Sequence, residues 1–440
     1  MYPKRGLRQG CSLSPLLFAL YISDLGSDIA ASLEGFQIGG LTLSGLLFAD
    51  DIVLISRTFP GLERLVSLFN TNCDHLKLSI NQKKSNIVTP DDVDHLVLLD
   101  ADDYVTLSLS KTLSYNYLGT ETTLLMSSTA TKRQQKCIKS AKSYKFACFH
   151  VAKTGPDVVD TVLATWSNIA IPSILSGCEV IPFSDTTIEA IERMQSQLAK
   201  HVLGLPLSAP NICAQTELGL KPFRMILYEK QLNFYTRVMN LPQSRWVHRV
   251  LSEHLRGDWV SPYMAYIAKI RQKTQLIVTP TSKTFIKVHL NSWFLNRINF
   301  DISNLSIPCI SPMASFSRAR YICENDGCQV IASFLFSCAG LGNKAPRPGR
   351  QRTSICSLCT GSLDEAHVAF HCPAMNEFRE DKTDITRFIT MCRTKNIYTN
   401  LAYKWYVTGK DWNGCAVSTP DYLSRGHTLR VMVEEWLRRT

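Results

Sequence analysis

The chain has 440 residues, 45% of them apolar, which is enough to bury a core in each of two or three domains. Lysine and arginine outnumber the acids 48 to 37, giving a formal net charge of +11 that fits a polyanionic partner without requiring one. The 15 cysteines, an odd number with no amino-terminal signal peptide, argue against a disulfide-built secreted scaffold and for reduced thiols, some of them metal-bound.

In chain order, Ser14 is the expected N-cap of a first helix with Pro15 at its first position. Phe18, Tyr21, Ile22 and Leu25 then recur at helical spacing. Phe36, Ile38, Leu41 and Leu43 alternate around Gly39-Gly40, the pattern of a hairpin. Leu46 to Ile55 is read as two short buried strands meeting at Asp50-Asp51. Adjacent carboxylates at the edge of a core repel each other and resist desolvation, so a cation is expected between them. A helix follows, with Leu62, Leu65, Val66, Phe69, Cys73 and Leu76 on one face. A polar turn at Asn81–Ser85 leads to strand-like Asn86–Val88, and Val105, Leu107 and Leu109 alternate before Tyr115-Asn116-Tyr117-Leu118-Gly119.

From about residue 128 to 255 the pattern is helical, with an apolar stripe at Ile188, Ile191, Met194, Leu198 and Val202 ended by Gly204-Leu205-Pro206. Lys132, Lys136, Lys139 and Ser143 share a helix face, with Arg133, Lys142 and Lys145 close by. Such a face can track backbone phosphates, although a charge run is more often merely solvated. The longest apolar stretch, Val162 to Phe183, is interrupted by Trp166, Asn168, Pro172, Gly177 and Glu179 and makes a poor membrane span. Residues 256–345 carry no clear motif, and 344–352 form a basic Pro/Gly linker.

Beyond the linker, Cys356, Cys359, His367 and Cys372 are spaced Cys-x2-Cys-x7-His-x4-Cys. Three thiolates and one imidazole make a closed tetrahedral Zn²⁺ site, which is structural because it leaves no open position. His371 competes for the third ligand, but its place beside Cys372 would crowd the geometry. Cys323, Cys328 and Cys338 lack an evident fourth ligand.

The order of these pieces is more specific than any one of them. A Gln9-Gly10 turn opens a Ser-Pro helix; a hairpin, Phe48-Ala49-Asp50-Asp51, a helix, a Lys83-Lys84 turn and Tyr117-Leu118-Gly119 follow. This resembles the palm of reverse transcriptases, most closely the non-LTR retrotransposon type, tightly over residues 5–120 and more loosely to about 255 through residues 174–180 and 217–219. The resemblance implies that Asp50 and Asp51 are the catalytic pair, with Asp50 ligating Mg²⁺ directly and Asp51 supporting it. It further implies that Arg8, Gln9, Gly10, Ser12, Lys83 and Lys84 contact template or nucleotide. Residues 117–119 then belong to a primer-grip hairpin, and Lys132, Arg133, Lys136 and Lys139 open a thumb. The Cys/His cluster resembles the zinc knuckle that follows the thumb in many such proteins, a module that commonly contacts single-stranded nucleic acid.

The implied architecture is α+β. It comprises a partial palm with an antiparallel sheet and helices (1–125), a mainly α-helical thumb-like region (126–255), a mixed connection (256–345), and a zinc knuckle with a helical tail (346–440). The implied partners are an RNA template and a DNA primer or target, with no membrane, in an intracellular, cytoplasmic or nuclear setting. The family's third metal-binding aspartate and its fingers belong upstream of Gln9, where only seven residues precede Arg8 and none is acidic. The chain is therefore expected to begin inside a domain and to have little or no polymerase activity alone. The alternative is a non-catalytic nucleic-acid-binding module using the basic helix and the knuckle.

Overall fold

The computed structural model describes residues 6–7, 10–38, 40–100, 102–151, 158–256, 261–276 and 282–303. It also describes 356, 358–359, 367–380 and 383–394, with positions 406, 425, 428, 429, 431, 432, 435 and 439. Arg8, Gln9, the basic linker and Cys323, Cys328 and Cys338 lie outside the described residues. The chain divides into two compact units. One comprises Met1–Gln135, Val180–Pro182 and Phe234–Ile270; the other comprises Lys136–Glu179, Phe183–Asn233 and Arg271–Thr440.

The first unit opens with α1 (Ser14–Tyr21) and α2 (Ser23–Ala31), separated by a break at Ile22. The apolar stripe runs through that break, burying Ile22, Leu25 and Ile29 with Phe18 packed at its edge. Ser14 is not the N-cap. Leu13 holds that position without a side-chain cap, and Ser14 begins the helix after its amide donates to the Cys11 carbonyl at 3.2 Å. The hairpin of β1 (Phe36–Ile38) and β2 (Leu41–Leu43) pairs Ile38 with Leu41, while Gly39 of the expected turn lies outside the described residues. Next come β3 (Gly45–Phe48) and β4 (Asp51–Leu54), then α3 (Phe59–His75), whose N-cap Thr58 accepts from the Gly61 amide at 3.2 Å.

Helix α3 serves two small cores. Its Phe69, with Leu76 just beyond the helix, packs toward Ile22, Leu25, Ile29 and the inner side chains of β3 and β4. Val66, Leu62 and Phe59 pack toward Ile87, Leu96, Leu107 and Leu109. Those last residues belong to β5 (Asn86–Ile87), β6 (His95–Leu99) and β7 (Val105–Lys111). β7 lies in the centre, antiparallel to β6 and parallel to β5. A last hairpin joins β8 (Tyr115–Tyr117) to β9 (Thr120–Thr122). Its turn residues Leu118 and Gly119 both have positive φ, 48° and 79°, as a two-residue primed turn requires. In place of the expected single antiparallel palm sheet there are, among the described residues, four separate small sheets, one of them mixed. The strands are two to seven residues long, and short strands leave few ladder bonds with which to merge neighbouring hairpins.

The remaining described residues are mainly helical, which together with the sheets gives an α+β class. Helix α4 (Met126–Val151) is followed by α5 (Val158–Ala164), a π-helical turn (Thr165–Ala170) and α6 (Ile171–Leu175). Pro172 lacks the amide that a continuous α-helix would need there, and the wide turn just before it absorbs the defect. Then come α7 (Asp185–Val202), α8 (Asn211–Glu217), α9 (Phe223–Met239), α10 (Trp246–Arg256), α11 (Pro262–Lys273) and α12 (Lys283–Ser303). Ile188, Ile191, Leu198 and Val202 of α7 are buried as expected, and Gly204, at φ 63°, closes that helix. No helix among the described residues is long and apolar enough to cross a membrane.

Candidate functional site

Asp50 and Asp51 sit at the tip of the β3–β4 hairpin. Phe48 pairs with Asp51, leaving Ala49-Asp50 as a two-residue turn. Ala49 has φ 51°, a left-handed conformation that an L side chain adopts at a cost of about 1–2 kcal/mol. The backbone is therefore held in a form that projects both acids from one tight bend. The hairpin's inner side is pressed on α2: a Cβ at Gly45 would stand 2.9 Å from Ile29 Cγ2 and 3.2 Å from the Val53 carbonyl oxygen. Gly45 thus permits the close approach that fixes the hairpin.

The strands beside the pair are not buried as expected. Both acids are exposed, Phe48 is 61% exposed and Leu46 41%. The two carboxylates therefore stand exposed at adjacent positions of a constrained turn.

The structure brings Asp51 near the β8–β9 hairpin. The Tyr115 phenol is pushed up to about 12 by burial first, then by Tyr117 and by the Asp51 carboxylate. Tyr117 is raised by burial and then by Asp51. The two rings lie 6.2 Å apart. Sequence reading attached residues 117–119 to this region but missed Tyr115. The Tyr-x-Tyr alternation, which puts both rings on one strand face, was the available signal.

Gly10, at φ 84°, lies in an open turn with Ser12 exposed beside it. The Ser14 hydroxyl, instead of capping, hydrogen-bonds Cys11, whose thiol is lowered first by the Leu13 backbone and then by Ser14. Lys83 and Lys84 are exposed in a turn closed by the Lys84 and Ser85 amides on the Asn81 carbonyl, each at 3.0 Å.

The basic helix divides. Lys136, Lys139 and Lys142 are exposed on α4. Lys132 pairs with Glu121 at 2.5 Å, and Glu121 also accepts from Ser114 Oγ at 2.7 Å, tying α4 to the strands before it. Arg133 does not join the exposed face; it is 7% exposed. The buried stripe of α4 runs through Ala130, Arg133, Cys137 and Ala141 at helical spacing, so Arg133 occupies a core-facing position. Lys145 turns to Gln197 Oε1 at 2.9 Å.

The Cys/His cluster forms as expected. The ligand atoms of Cys356, Cys359, His367 and Cys372 all lie within 4.8 Å of one another. Cys356 and Cys372 Sγ are 3.8 Å apart, Cys372 and Cys359 Sγ 3.7 Å, and Cys359 Sγ is 3.1 Å from His367 Nε2. A tetrahedral zinc with sulfur bonds of about 2.3 Å puts its sulfurs about 3.8 Å apart, so the cage has the right size. Burial, then contacts with Cys359 and Cys356, push the Cys372 thiol up to about 12, and a cation among the sulfurs would reverse this by favouring thiolates. His371 is exposed and outside the group. Buried Arg379, which sequence reading missed, donates to the Val368 carbonyl at 3.2 Å, to the Cys372 carbonyl and to Asn376 Oδ1 at 2.6 Å, fixing the backbone that carries His367 and Cys372.

Residues 1–122 match the family model described as reverse transcriptase (RNA-dependent DNA polymerase). Over 82 residues the chain is 34% identical to the retrovirus-related Pol polyprotein from type-1 retrotransposable element R2 of Nasonia vitripennis. That stretch is 19% of this chain, and it spans only 8% of the relative's length. The two matches together support, for the amino-terminal part of this chain, a reverse transcriptase of the non-LTR type.

Proposed function

We propose that the chain carries part of an RNA-directed DNA polymerase of a non-LTR retrotransposon, with Asp50 and Asp51 at the nucleotidyl-transfer centre. The observation that supports this most is the paired arrangement within residues 1–122: an acidic two-residue turn beside a tyrosine-bearing hairpin. Asp50, at the tip, would ligate Mg²⁺, and Asp51 would shape the field between that ion and the Tyr115–Thr122 hairpin. Arg8, Gln9, Gly10 and Ser12, with Lys83 and Lys84, would position template and incoming nucleotide. Mg²⁺ would supply charge neutralisation at the transferring phosphoryl group.

Mg²⁺ commonly binds one or two carboxylates and completes its shell with waters and substrate phosphates, so this pair suits one ion. Among the described residues, Asp50 and Asp51 are not part of any group of three or more metal-ligating side chains. A two-ion centre needs more than they offer. The expected result of primer extension on an RNA template with Mg²⁺ is therefore template–primer binding by this chain without synthesis. Robust, Asp50-dependent synthesis would show that the pair suffices, and absence of any template–primer affinity would overturn the polymerase reading.

The exposed Lys136, Lys139 and Lys142 and the Cys3His cage favour a second reading, binding without catalysis. If Lys136 and Lys139 each neutralise a duplex phosphate, K136E/K139E should reduce the salt slope of duplex affinity by about 2. An unchanged slope in salt-dependent binding isotherms would mark the face as merely solvated. Zinc is the proposed occupant of the cage, with single-stranded nucleic acid as the partner of the knuckle.

A further inference from the structure

The second unit holds a cavity of about 800 Å³ that neither the acidic hairpin nor the zinc cage accounts for. Its size is in the range of small-molecule pockets. Helix α7 presents Glu189, Glu192, Arg193 and Ser196 to it at helical spacing, and α12 presents Trp293 and Arg297, one turn apart.

The lining carries as many acids as bases, with Glu189 and Asp301 exposed among the acids, but the groups are unevenly paired. Arg224 Nη1 donates to Asp185 Oδ1 at 2.6 Å, and Lys273 Nζ contacts both Asp185 oxygens at 2.9 and 2.8 Å. Glu192 Oε1 accepts from the Arg224 amide at 3.1 Å, and burial raises the pKa of its carboxyl. Arg193 and Arg297 are both exposed, and neither makes an ion pair among the described residues. The cavity therefore combines a half-buried indole, a half-buried carboxyl and two exposed guanidinium groups without an ion-pair partner among the described residues.

That is the chemistry of a nucleotide. An aromatic base stacks on an indole, a guanidinium pair takes its phosphate, and a carboxyl meets a donor-bearing base edge. We infer that this cavity binds one nucleotide unit, with the base against Trp293 and the phosphate at Arg193 and Arg297. The unit is either a free nucleotide or a base turned out of a single strand. The site does not depend on the polymerase reading, because its residues lie outside the matched segment.

The test uses the full chain with a short single-stranded oligoribonucleotide carrying 5-iodouridine, and separately with a nucleoside monophosphate. Photocrosslinking should place the strand on the peptide containing Trp293. W293A and R193E/R297E should each weaken binding of the responsive ligand by about tenfold, while W293F keeps most of it. Both arginines are exposed, so R193E/R297E should leave the urea unfolding midpoint unchanged. A response to the strand alone identifies a turned-out base, and a response to the monophosphate identifies a free nucleotide. Crosslinks found only elsewhere, or affinities for both ligands unchanged in R193E/R297E, would overturn the assignment. K136E/K139E separates this site from the basic helix: it should alter duplex binding and leave the Trp293 crosslink intact.

Discussion

Chelation of the zinc proposed at Cys356, Cys359, His367 and Cys372 is expected to unfold the carboxy-terminal module, and Cys372→Ser is expected to do the same. Four ligands brought from three places in the sequence converge on one small cage with a minor apolar cluster of Val368 and Met375 around it. A cluster of that size cannot offset the chain entropy of ordering the segment. In small structural zinc sites the apparent binding free energy is about 10–16 kcal/mol and serves as folding free energy. The effect should spread past the cage. Phe370, adjacent to the exposed His371, lies edge-on to Tyr406 at 5.7 Å, and Tyr406 packs against Phe388 at 5.2 Å. The Tyr406 hydroxyl donates to Asp384 Oδ2 at 2.9 Å, and Thr428 Oγ1 donates to the same oxygen at 3.0 Å. Arg425 covers the Tyr406 ring at 4.6 Å. Native mass spectrometry should find one zinc per chain, and hydrogen exchange should show residues 367–394 losing protection with chelator. Because ligation requires deprotonated thiols, zinc should be lost as pH falls and held more tightly as it rises. Unchanged protection after complete removal of the metal would make the cage incidental to the fold.

Trp166→Ala should be the most damaging single substitution outside the cage. Trp166 is 1% exposed within the π-helical turn, and its Nε1–H donates to Gln195 Oε1 at 3.2 Å. Gln195, also 1% exposed, in turn donates to the Lys221 carbonyl at 2.8 Å. Truncating a buried tryptophan costs about 3–5 kcal/mol. Stranding the Gln195 acceptor adds about 1–3 kcal/mol. Trp166→Phe keeps most of the apolar volume and isolates the second cost. Urea denaturation of the three proteins measures both: the midpoint should fall far for alanine and modestly for phenylalanine. Equal midpoints for the two variants would show that the ring itself contributes little.

What the sequence made legible follows from periodicity and local chemistry. The α3 and α7 stripes repeat at helical spacing over four to five turns. Asp50-Asp51 separates two short apolar strand patterns, although the turn falls one residue earlier than read, at Ala49-Asp50, with Asp51 already in the strand. The cysteine spacing itself suggests the cage, and His367 is the histidine that lies with the three cysteines. The failures are equally physical. Strand β6 went unseen because Leu96-Val97-Leu98-Leu99 is continuously apolar and hides its alternation. The parallel β5–β7 pairing joins strands that are not neighbours in sequence, which no local pattern encodes. Arg133 was grouped with the exposed lysines by charge, although its phase with Ala130, Cys137 and Ala141 sets it on the buried side. The nucleotide-sized cavity draws on helices α7, α8, α9, α11 and α12, so its residues meet only in the folded chain.

The central claim is that Asp50 and Asp51 form a divalent-ion seat facing the Tyr115–Thr122 hairpin. Iron-directed cleavage tests it without requiring synthesis: Fe²⁺ takes the place of Mg²⁺, and ascorbate with peroxide releases hydroxyl radicals at the bound ion. The account predicts backbone cuts around residues 48–52 and 115–118 that Mg²⁺ suppresses and that Asp50→Ala with Asp51→Ala abolishes. Cleavage absent from both hairpins, or unaffected by Mg²⁺ and by the double substitution, would contradict it.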